Sequence, residues 1–240
     1  MYDFNSERIT FVTTDSAEYK RFNSKYREIQ KKIRPLRDKN ASFYNKNLYR
    51  WELIMLRIFS SMSSEFKQNI IKYPCANSGY KFREVDYIAK VEDKLIFVEL
   101  KLKNNYQELN YKGNGWRQLD ISLNLARQKK YNASGLSVCV DMSSIYDIDM
   151  ADGLDPLNYT PISVLKKKLS EPSKDGSIIW LDAQDVISYG MSLDILCEND
   201  IYMLKNAHQC CKEPLQTSYF DPSYTFVSPF SELRSQVSFS

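Results

Sequence analysis

The chain has 240 residues, of which 43% are hydrophobic and 26% are charged, as is typical of a globular protein. With 7 glycines and 8 prolines, it is neither collagen-like nor of low complexity. The sequence contains no apolar run long enough to cross a bilayer, and no secretory signal pattern at its N-terminus. A net charge of +3 is too small to indicate a polyanionic partner by itself. These properties predict a soluble protein that does not bind membranes.

The five cysteines indicate a reducing, cytoplasmic environment. They form no CxxC pair, and an odd number of cysteines in a chain of this size is typical of free thiols. His208, Cys210 and Cys211, with Cys197, are alternative zinc ligands. Adjacent cysteines fit the usual spacing of zinc ligands poorly, however. We therefore predict ordinary buried thiols.

Positive charge is concentrated between residues 20 and 39, where Glu28 and Asp38 are the only acidic residues. Contact with a phosphate backbone requires such a cluster, although a solvated helix face is an equally good explanation. We predict nucleic-acid contacts at Lys25, Lys31 and Lys32 in this segment, and at Lys103 and Arg117 further along the chain.

Helices and strands alternate in an order that predicts an α/β fold. A polar stretch over 39–47 is expected to be a loop between the first two helices. The predicted elements are helices over 15–33 and 48–66, strands over 69–73, 80–91 and 95–102, a helix over 116–131, a strand over 136–140, a helix over 161–169 and a strand over 177–181.

The sequence shows no internal repeat and no clear linker, so we expect one domain with extensions. Residues 1–47 form the predicted N-terminal basic helical extension, and residues 48–142 the predicted core. Residues 143–240 are expected to be a C-terminal extension that packs on the core. Its last part, 213–240, is rich in Ser, Pro and aromatic residues and receives no predicted structure.

The predicted strands over 80–91 and 95–102 are joined by a tight turn, and this hairpin gathers several ionisable side chains. Side chains two positions apart in a strand share a face, so Glu99 and Lys101 point the same way. If the hairpin turns at Asp93 and Lys94, Asp86 lies directly opposite Lys101, with its side chain on the same face. Glu84 is then one step further along that face.

This group of charges suggests a metal site. Carboxylate oxygens suit Mg²⁺, and an amine beside them can orient or deprotonate a water or stabilise charge in a transition state. The alternative is a half-buried hairpin in which Asp86 and Lys101 form a cross-strand ion pair. Burying several charges in one place is unfavourable, which argues for a functional role.

The run Glu84-x-Asp86, followed after twelve residues by Glu99-Leu100-Lys101, resembles the signature of the PD-(D/E)xK nuclease superfamily. The resemblance covers about residues 48–140, and Val85 stands where the signature has proline. The family core has the order αβββαβ, which matches the elements predicted above. The resemblance therefore implies a restriction-endonuclease-like fold, with a mixed central sheet flanked by helices. It also implies Mg²⁺ or Mn²⁺ bound by Asp86 and Glu99, with Lys101 as a catalytic residue.

Three further site residues are implied by the resemblance. Glu52 lies on the apolar stripe of its helix, where many family members place an acidic residue that completes the metal site. Gln118 opens the helix after the hairpin, where several branches place a functional glutamine. Glu84 is a further candidate metal ligand. The alternatives are an edge position for Glu52, from which the side chain reaches water, and an ordinary first-turn polar residue for Gln118.

The resemblance implies a metal-dependent nuclease, and a DNA endonuclease is favoured because the DNA-acting branches are larger. One alternative is an RNA-acting nuclease of the same fold, similar to decapping enzymes or endoribonucleases. Another is a catalytically silent nucleic-acid-binding subunit. A homodimer, or a partner protein that licenses activity, is compatible with each of these. No GxxxxGK[ST] or GxGxxG motif supports chemistry driven by a nucleotide.

Overall fold

The structure is a computed structural model that describes residues 6–33, 39–75, 79–103, 115–145, 159–171 and 177–202. It has a mixed α/β fold with two sheets. Its helices are α1 (Ala17–Ile33), α2 (Lys39–Ser60), α3 (Trp116–Gln128), α4 (Ile162–Ser170) and α5 (Ala183–Ser192), and its strands are β1 (Thr10–Val12), β2 (Ile70–Pro74), β3 (Tyr80–Glu84), β4 (Tyr87–Val91), β5 (Lys94–Lys103), β6 (Asn132–Asp141) and β7 (Ser177–Asp182). Single 3₁₀ turns lie at Ser6–Arg8 and Ser143–Ile145.

The first helix packs on β3 through aromatic side chains. Ser16 caps α1, accepting a hydrogen bond of 3.3 Å at its Oγ from the backbone N–H of Tyr19. The Phe22 ring lies 4.9 Å from the Phe82 ring, and the Tyr19 ring 5.9 Å from it, between centroids. Tyr19 and Phe22 thus lie on the face that holds α1 against the sheet.

The second helix begins earlier than the sequence predicts. The expectation of a loop over 39–47 is wrong, because α2 starts at Lys39. Polar composition alone does not end a helix, and residues 39–60 contain neither glycine nor proline. Packing of buried Trp51 and Met55 in the core stabilises the helix as a whole. The predicted boundary between residues 47 and 48 therefore falls inside α2.

The predicted strand over 80–91 is two strands that belong to different sheets. The antiparallel sheet has the order β1-β2-β3, and the mixed sheet has the order β4-β5-β6-β7. Strands β4 and β5 are antiparallel, whereas β5, β6 and β7 are parallel to one another. The break falls at Val85 and Asp86, where the backbone N–H of Val85 donates to the carbonyl oxygen of Asn69 at 2.9 Å. Asp86 thus stands where the chain passes from one sheet to the other.

Two short elements lack a counterpart in the prediction. Strand β1 extends the first sheet by pairing with β2. Helix α5 begins at a capping residue, because Asp182 Oδ1 accepts a hydrogen bond of 2.9 Å from the backbone N–H of Gln184. That cap, with buried Ala183, Val186 and Ile187 at the i, i+3, i+4 spacing of one helix face, is a sequence signal that would have predicted α5.

The mixed sheet buries both faces, but one of them is apolar only over part of its length. Leu100, Val98 and Ile96 of β5 face a core shared with α2, α4 and α5. On the opposite face, Phe97 and Leu95 pack with residues of α3 and β1. Further along β5 on that second face, the sequence continues with Glu99 and then Lys101, followed by Lys103. This polar end of the sheet is the candidate site.

No helix in the described ranges combines the length and apolar character needed to cross a membrane.

Candidate active site

The register of the hairpin differs from the predicted one by two residues. Tyr87 pairs with Val98 and Val91 pairs with Lys94, so the turn is at Glu92 and Asp93. Glu92 adopts a left-handed φ of 54°, a conformation typical of the first residue of a two-residue hairpin turn. The prediction that Asp86 lies opposite Lys101 is therefore wrong, since extending the ladder by one pair places Asp86 opposite Glu99.

The predicted face nevertheless holds. A register shift of two residues, unlike a shift of one, leaves every side chain on its original side of the sheet. Ile88 and Phe97, which are paired, both lie in the core beneath α3. Asp86 is two residues from Ile88, and Glu99 is two residues from Phe97. Glu99 consequently extends this face beyond the apolar core, and Asp86, just before β4, contacts β5 next to Glu99 through the N–H of Leu100.

Two short hydrogen bonds define the site. The backbone N–H of Leu100 donates to Asp86 Oδ2 at 2.7 Å, where β4 no longer pairs with β5. Lys101 Nζ donates to Glu99 Oε1, also at 2.7 Å. The Glu99 side chain is only 4% exposed and that of Lys101 is 27% exposed. The ion pair therefore joins a buried carboxylate to an ammonium group that reaches solvent.

The carboxylates repel one another in a poorly solvated place. Burial raises the pKa of Asp86 to about 7, and the charge of Glu99 adds to this effect. The Leu100 N–H and Lys101 act in the opposite direction, but only in part. Burial also raises the pKa of Glu52, which Lys101 lowers and Glu84 and Glu99 raise further. Negative charge at the site thus exceeds the positive charge of Lys101.

This charge balance tests whether a metal ion fits. Mg²⁺ is satisfied by one or two protein carboxylates together with water and phosphate oxygens. Asp86 and Glu99 supply hard oxygen donors with insufficient compensating charge, so these two residues fit such an ion. In the part of the chain that the structure describes, however, no three His, Cys, Asp or Glu side chains are arranged to hold a metal. Glu52 and Glu84 are therefore not gathered with Asp86 and Glu99 into one metal-binding group.

The remaining acidic candidates lie around this pair. Glu84 is exposed at the end of β3, and its Oε2 accepts a hydrogen bond of 2.9 Å from the hydroxyl of Tyr19. Burial and the charge of Glu84 raise the pKa of Tyr19 to about 12, so this hydroxyl keeps its proton. Glu52 is partly buried on α2, and it is close enough for the charge of Lys101 to lower its pKa. Helix α1 is thereby attached to the edge of the candidate site.

The start of α3 is tied to β3 by Arg83, which sequence reasoning missed. Arg83 Nε donates to Ser122 Oγ at 2.7 Å, and Arg83 Nη2 donates to the backbone carbonyl of Gln118 at 2.5 Å. Ser122 is buried, whereas the Gln118 side chain is exposed. Gln118 is thus placed through its backbone, and its predicted catalytic role stays a prediction. The only sequence signal for these two hydrogen bonds is the presence of a basic residue next to the Glu84-x-Asp86 run.

We expect Arg83→Gln to lower the free energy of unfolding by about 1–3 kcal/mol, because it leaves buried Ser122 and a helix carbonyl without their charged donor. Thermal unfolding monitored by circular dichroism measures this loss. Lys81→Gln, which alters an exposed residue on the same strand, is the matched control and should change little. Equal melting temperatures for the two variants would show that Arg83 does not hold α3.

The predicted nucleic-acid contacts lie on three different elements, α1, β5 and α3. Lys25 is exposed on α1, and Arg117 is exposed in the first turn of α3. Lys103 is half-buried at the end of β5, two residues beyond Lys101 and on the same face. Lys31 and Lys32 belong to α1, but their side chains lie outside the described residues. Of these residues, only Lys103 lies on the same strand face as Glu99 and Lys101.

The three cysteines within the described ranges lie in different environments. Cys139 is buried, as predicted, and burial raises the pKa of its thiol to about 11. Cys75 is half-buried, and Cys197 is exposed, so the prediction of a buried thiol is wrong for Cys197. The Cys197 thiol donates to Asp200 Oδ2 at 3.0 Å, in a turn that ends at the surface. The alternative zinc ligands His208, Cys210 and Cys211 lie outside the described residues.

The chain matches no family model, no curated protein and no solved structure with which it was compared. The chemistry of the site must therefore be inferred from its own residues and their contacts.

Proposed function

We propose that this chain is a metal-dependent nuclease that hydrolyses phosphodiester bonds, built on a restriction-endonuclease-like core. The observation that carries the proposal is the buried Glu99–Lys101 ion pair beside Asp86, whose pKa is about 7. Such perturbed, poorly compensated groups are more typical of functional sites than of structural ion pairs. In this proposal DNA is the favoured polymer, and an RNA substrate is the alternative.

The arrangement of the elements supports the proposed fold. From α2 to β6 the chain has the order of helix, strands, helix and strand that the resemblance implies, with its second strand divided into β3 and β4. The mixed sheet lies between α3 on one face and α2, α4 and α5 on the other. Glu84 ends β3, Asp86 lies between β3 and β4, and Glu99 and Lys101 lie on β5, an order along the chain that supports the proposal.

The chemistry follows from the charges. Mg²⁺ or Mn²⁺ held by the carboxylates of Asp86 and Glu99 would supply Lewis-acid stabilisation of the phosphate charge. Lys101 Nζ, fixed by Glu99 and partly exposed, presents a cation where negative charge develops in the transition state. Glu52, whose pKa is raised by burial, is suited to accept a proton from the attacking water. The exposed cations Lys25 and Arg117 would bind the polymer backbone.

We expect purified wild-type protein to cleave nucleic acid with Mg²⁺ or Mn²⁺ and not with EDTA. Asp86→Ala and Lys101→Ala should each lower the cleavage rate by roughly 10²-fold or more, the usual effect of removing an electrostatic catalytic group. Supercoiled plasmid, single-stranded DNA and single-stranded RNA are the substrates, and product gels measure cutting.

Lys90→Ala, which removes an exposed lysine from β4, is the matched control and should cleave like wild type. A folded wild-type protein that cuts none of the three substrates with either metal would refute the proposal as a stand-alone activity. Cleavage that survives in both Asp86→Ala and Lys101→Ala would refute the assigned site.

A further inference from the structure

Gly115, the residue before α3, touches the ion pair of the candidate site. It is buried and has a left-handed φ of 81°. A Cβ atom built on Gly115 would lie 2.6 Å from Glu99 Cγ and 2.9 Å from Lys101 Cε. Both distances are shorter than the van der Waals contact distance between two carbon atoms, so at least one of the two side chains would have to move. The bare backbone of Gly115 therefore packs directly against both halves of the Glu99–Lys101 pair.

We propose that Gly115 is a positioning residue, whose backbone forms the wall that holds the Glu99–Lys101 ion pair in place. The consequence for catalysis rests on the proposed nuclease function, but the consequence for the geometry of the pair does not.

The wall is useful because a lysine side chain is long and rotates about four bonds. Fixing Lys101 Nζ at 2.7 Å from Glu99 Oε1 requires that most of its conformations be excluded. Gly115 borders the Lys101 chain at two carbons, since a Cβ there would also lie 3.4 Å from Lys101 Cγ. Contact along the aliphatic stem thus restricts the ammonium group without competing for its hydrogen bonds.

The wall is also difficult to displace. Helix α3 follows Gly115 directly, and the backbone N–H groups of Gln118 and Leu119 donate to the Gly115 carbonyl at 2.9 and 3.1 Å. Arg83 fixes the same helix turn to β3 through Gln118 and Ser122. A side chain at position 115 is therefore expected to displace Lys101, whose end is partly exposed, more readily than it displaces the helix.

A purely conformational role for Gly115 gives a different expectation. Glycine adopts a left-handed φ without strain, and this alone would explain its position before a helix. Asparagine tolerates the left-handed region better than alanine does, yet both carry a Cβ atom. Gly115→Asn therefore relieves much of the backbone strain of Gly115→Ala while keeping the contact with Glu99 and Lys101.

The experiment compares Gly115→Asn and Gly115→Ala with Gly79→Ala, the matched control, because a Cβ atom on Gly79 would meet nothing within 4 Å. Trace acylation with an amine-reactive ester, followed by mass spectrometry, measures the reactivity of Lys101 relative to exposed Lys90. Cleavage kinetics measure kcat and KM, and thermal unfolding measures stability.

We expect Gly115→Asn to unfold at a higher temperature than Gly115→Ala, while Lys101 reacts severalfold faster than in wild type in both. We also expect kcat to fall roughly 10- to 100-fold in both, with a smaller change in KM, as a displaced catalytic group produces. Gly79→Ala should match wild type in labelling and in kinetics.

Unchanged Lys101 labelling in folded Gly115→Asn would overturn the inference, whatever the activity. So would a kcat that recovers to the wild-type value along with stability in Gly115→Asn. If wild type cleaves nothing but Lys101 labelling rises in both Gly115 variants, the proposed nuclease function fails and the positioning of the ion pair by Gly115 is supported.

Discussion

Asp86→Asn is expected to stabilise the metal-free protein at pH 8, although it removes a residue that the proposed activity requires. In the folded protein, burial and the neighbouring Glu99 raise the pKa of Asp86 to about 7 from an ordinary value of 3.8. Asparagine resembles the protonated acid, and its side-chain oxygen can still accept the hydrogen bond that Leu100 N–H donates to Asp86. The variant thus keeps the shape of the site and removes its least favourable charge.

The pH window follows from the direction of the shift. Below about pH 4 the carboxyl is protonated in both folded and unfolded chains, so Asp86 and asparagine differ little. Between about pH 4 and 7 the unfolded chain releases the proton first, and the stability of the wild type falls relative to the variant. Above about pH 7 the difference is complete, and about 1.4 kcal/mol for each pKa unit sets its upper limit at about 4 kcal/mol.

Thermal unfolding in EDTA at pH 5 and pH 8 measures this effect. A gain of 2–4 kcal/mol corresponds to a melting temperature higher by roughly 5–15 °C in a domain of this size, and the gain should be smaller at pH 5. Asp120→Asn, at an exposed position of α3, is the control and should change little at either pH.

Excess Mg²⁺ should stabilise wild type more than Asp86→Asn, because only the wild type keeps both proposed ligands. Destabilisation of Asp86→Asn at pH 8 would indicate that Asp86 belongs to a structural ion pair.

The elements that the sequence predicts well are those with strong periodicity. Strand β5 is expected over 95–102 and extends from Lys94 to Lys103, and α3 begins at Trp116 as expected. Strand β6 includes the expected 136–140 but begins earlier, at Asn132. The division of residues 80–91 into β3 and β4 was not predictable in the same way. The alternation of side chains continues along an extended chain even where its hydrogen-bond partners change, so the pattern does not show that Val85 leaves one sheet and Tyr87 enters another.

The turn of the hairpin illustrates a second limit. The sequence predicts a turn at Asp93 and Lys94, because aspartate is common in tight turns. In the structure Glu92 takes the left-handed conformation instead, and Lys94 is buried as the first residue of β5. Packing of the strand decides between two registers that local residue preferences do not separate.

The candidate site was predictable where it depends on strand geometry alone. The shared face of Glu99 and Lys101 follows from their spacing, and Asp86 joins them under either register. Gly115 and Arg83 were not predictable, because they act through contacts between distant parts of the chain. Arg83 and Ser122 are 39 positions apart, and the nearness of Gly115 to Lys101 depends on how α3 packs against β5. Such contacts leave no periodic pattern in the sequence.

Lys101→Met is expected to have the opposite effect on stability to Asp86→Asn. Methionine retains much of the apolar stem of lysine but removes the ammonium group, so the Glu99 side chain, 4% exposed, loses its ion-pair partner. Removing one partner of a buried pair typically destabilises a protein by 3–5 kcal/mol. Because Lys101 is 27% exposed, water can enter in its place, and we expect about 3 kcal/mol.

Adding Glu99→Gln to Lys101→Met tests that explanation. The double variant has no uncompensated charge at the pair, and we expect it to recover most of the lost stability, giving a coupling energy of about 2 kcal/mol in the double-mutant cycle. Urea unfolding in EDTA at pH 8 measures all four proteins, with Lys103→Met as a control on the same strand face. A double variant no more stable than Lys101→Met alone would show that lysine packing, and not its charge, is what the fold requires.

The two expectations together separate a structural site from a functional one. If these charges were kept for stability, Asp86→Asn, Lys101→Met and Glu99→Gln would each lower the free energy of unfolding. In the site inferred for this protein, the neutral triple variant Asp86→Asn, Glu99→Gln, Lys101→Met should be at least as stable as wild type in EDTA, because neutral side chains of similar size avoid the desolvation of buried charges. Retention of charges that the fold does not need would then be explained by the metal and phosphate chemistry proposed for them.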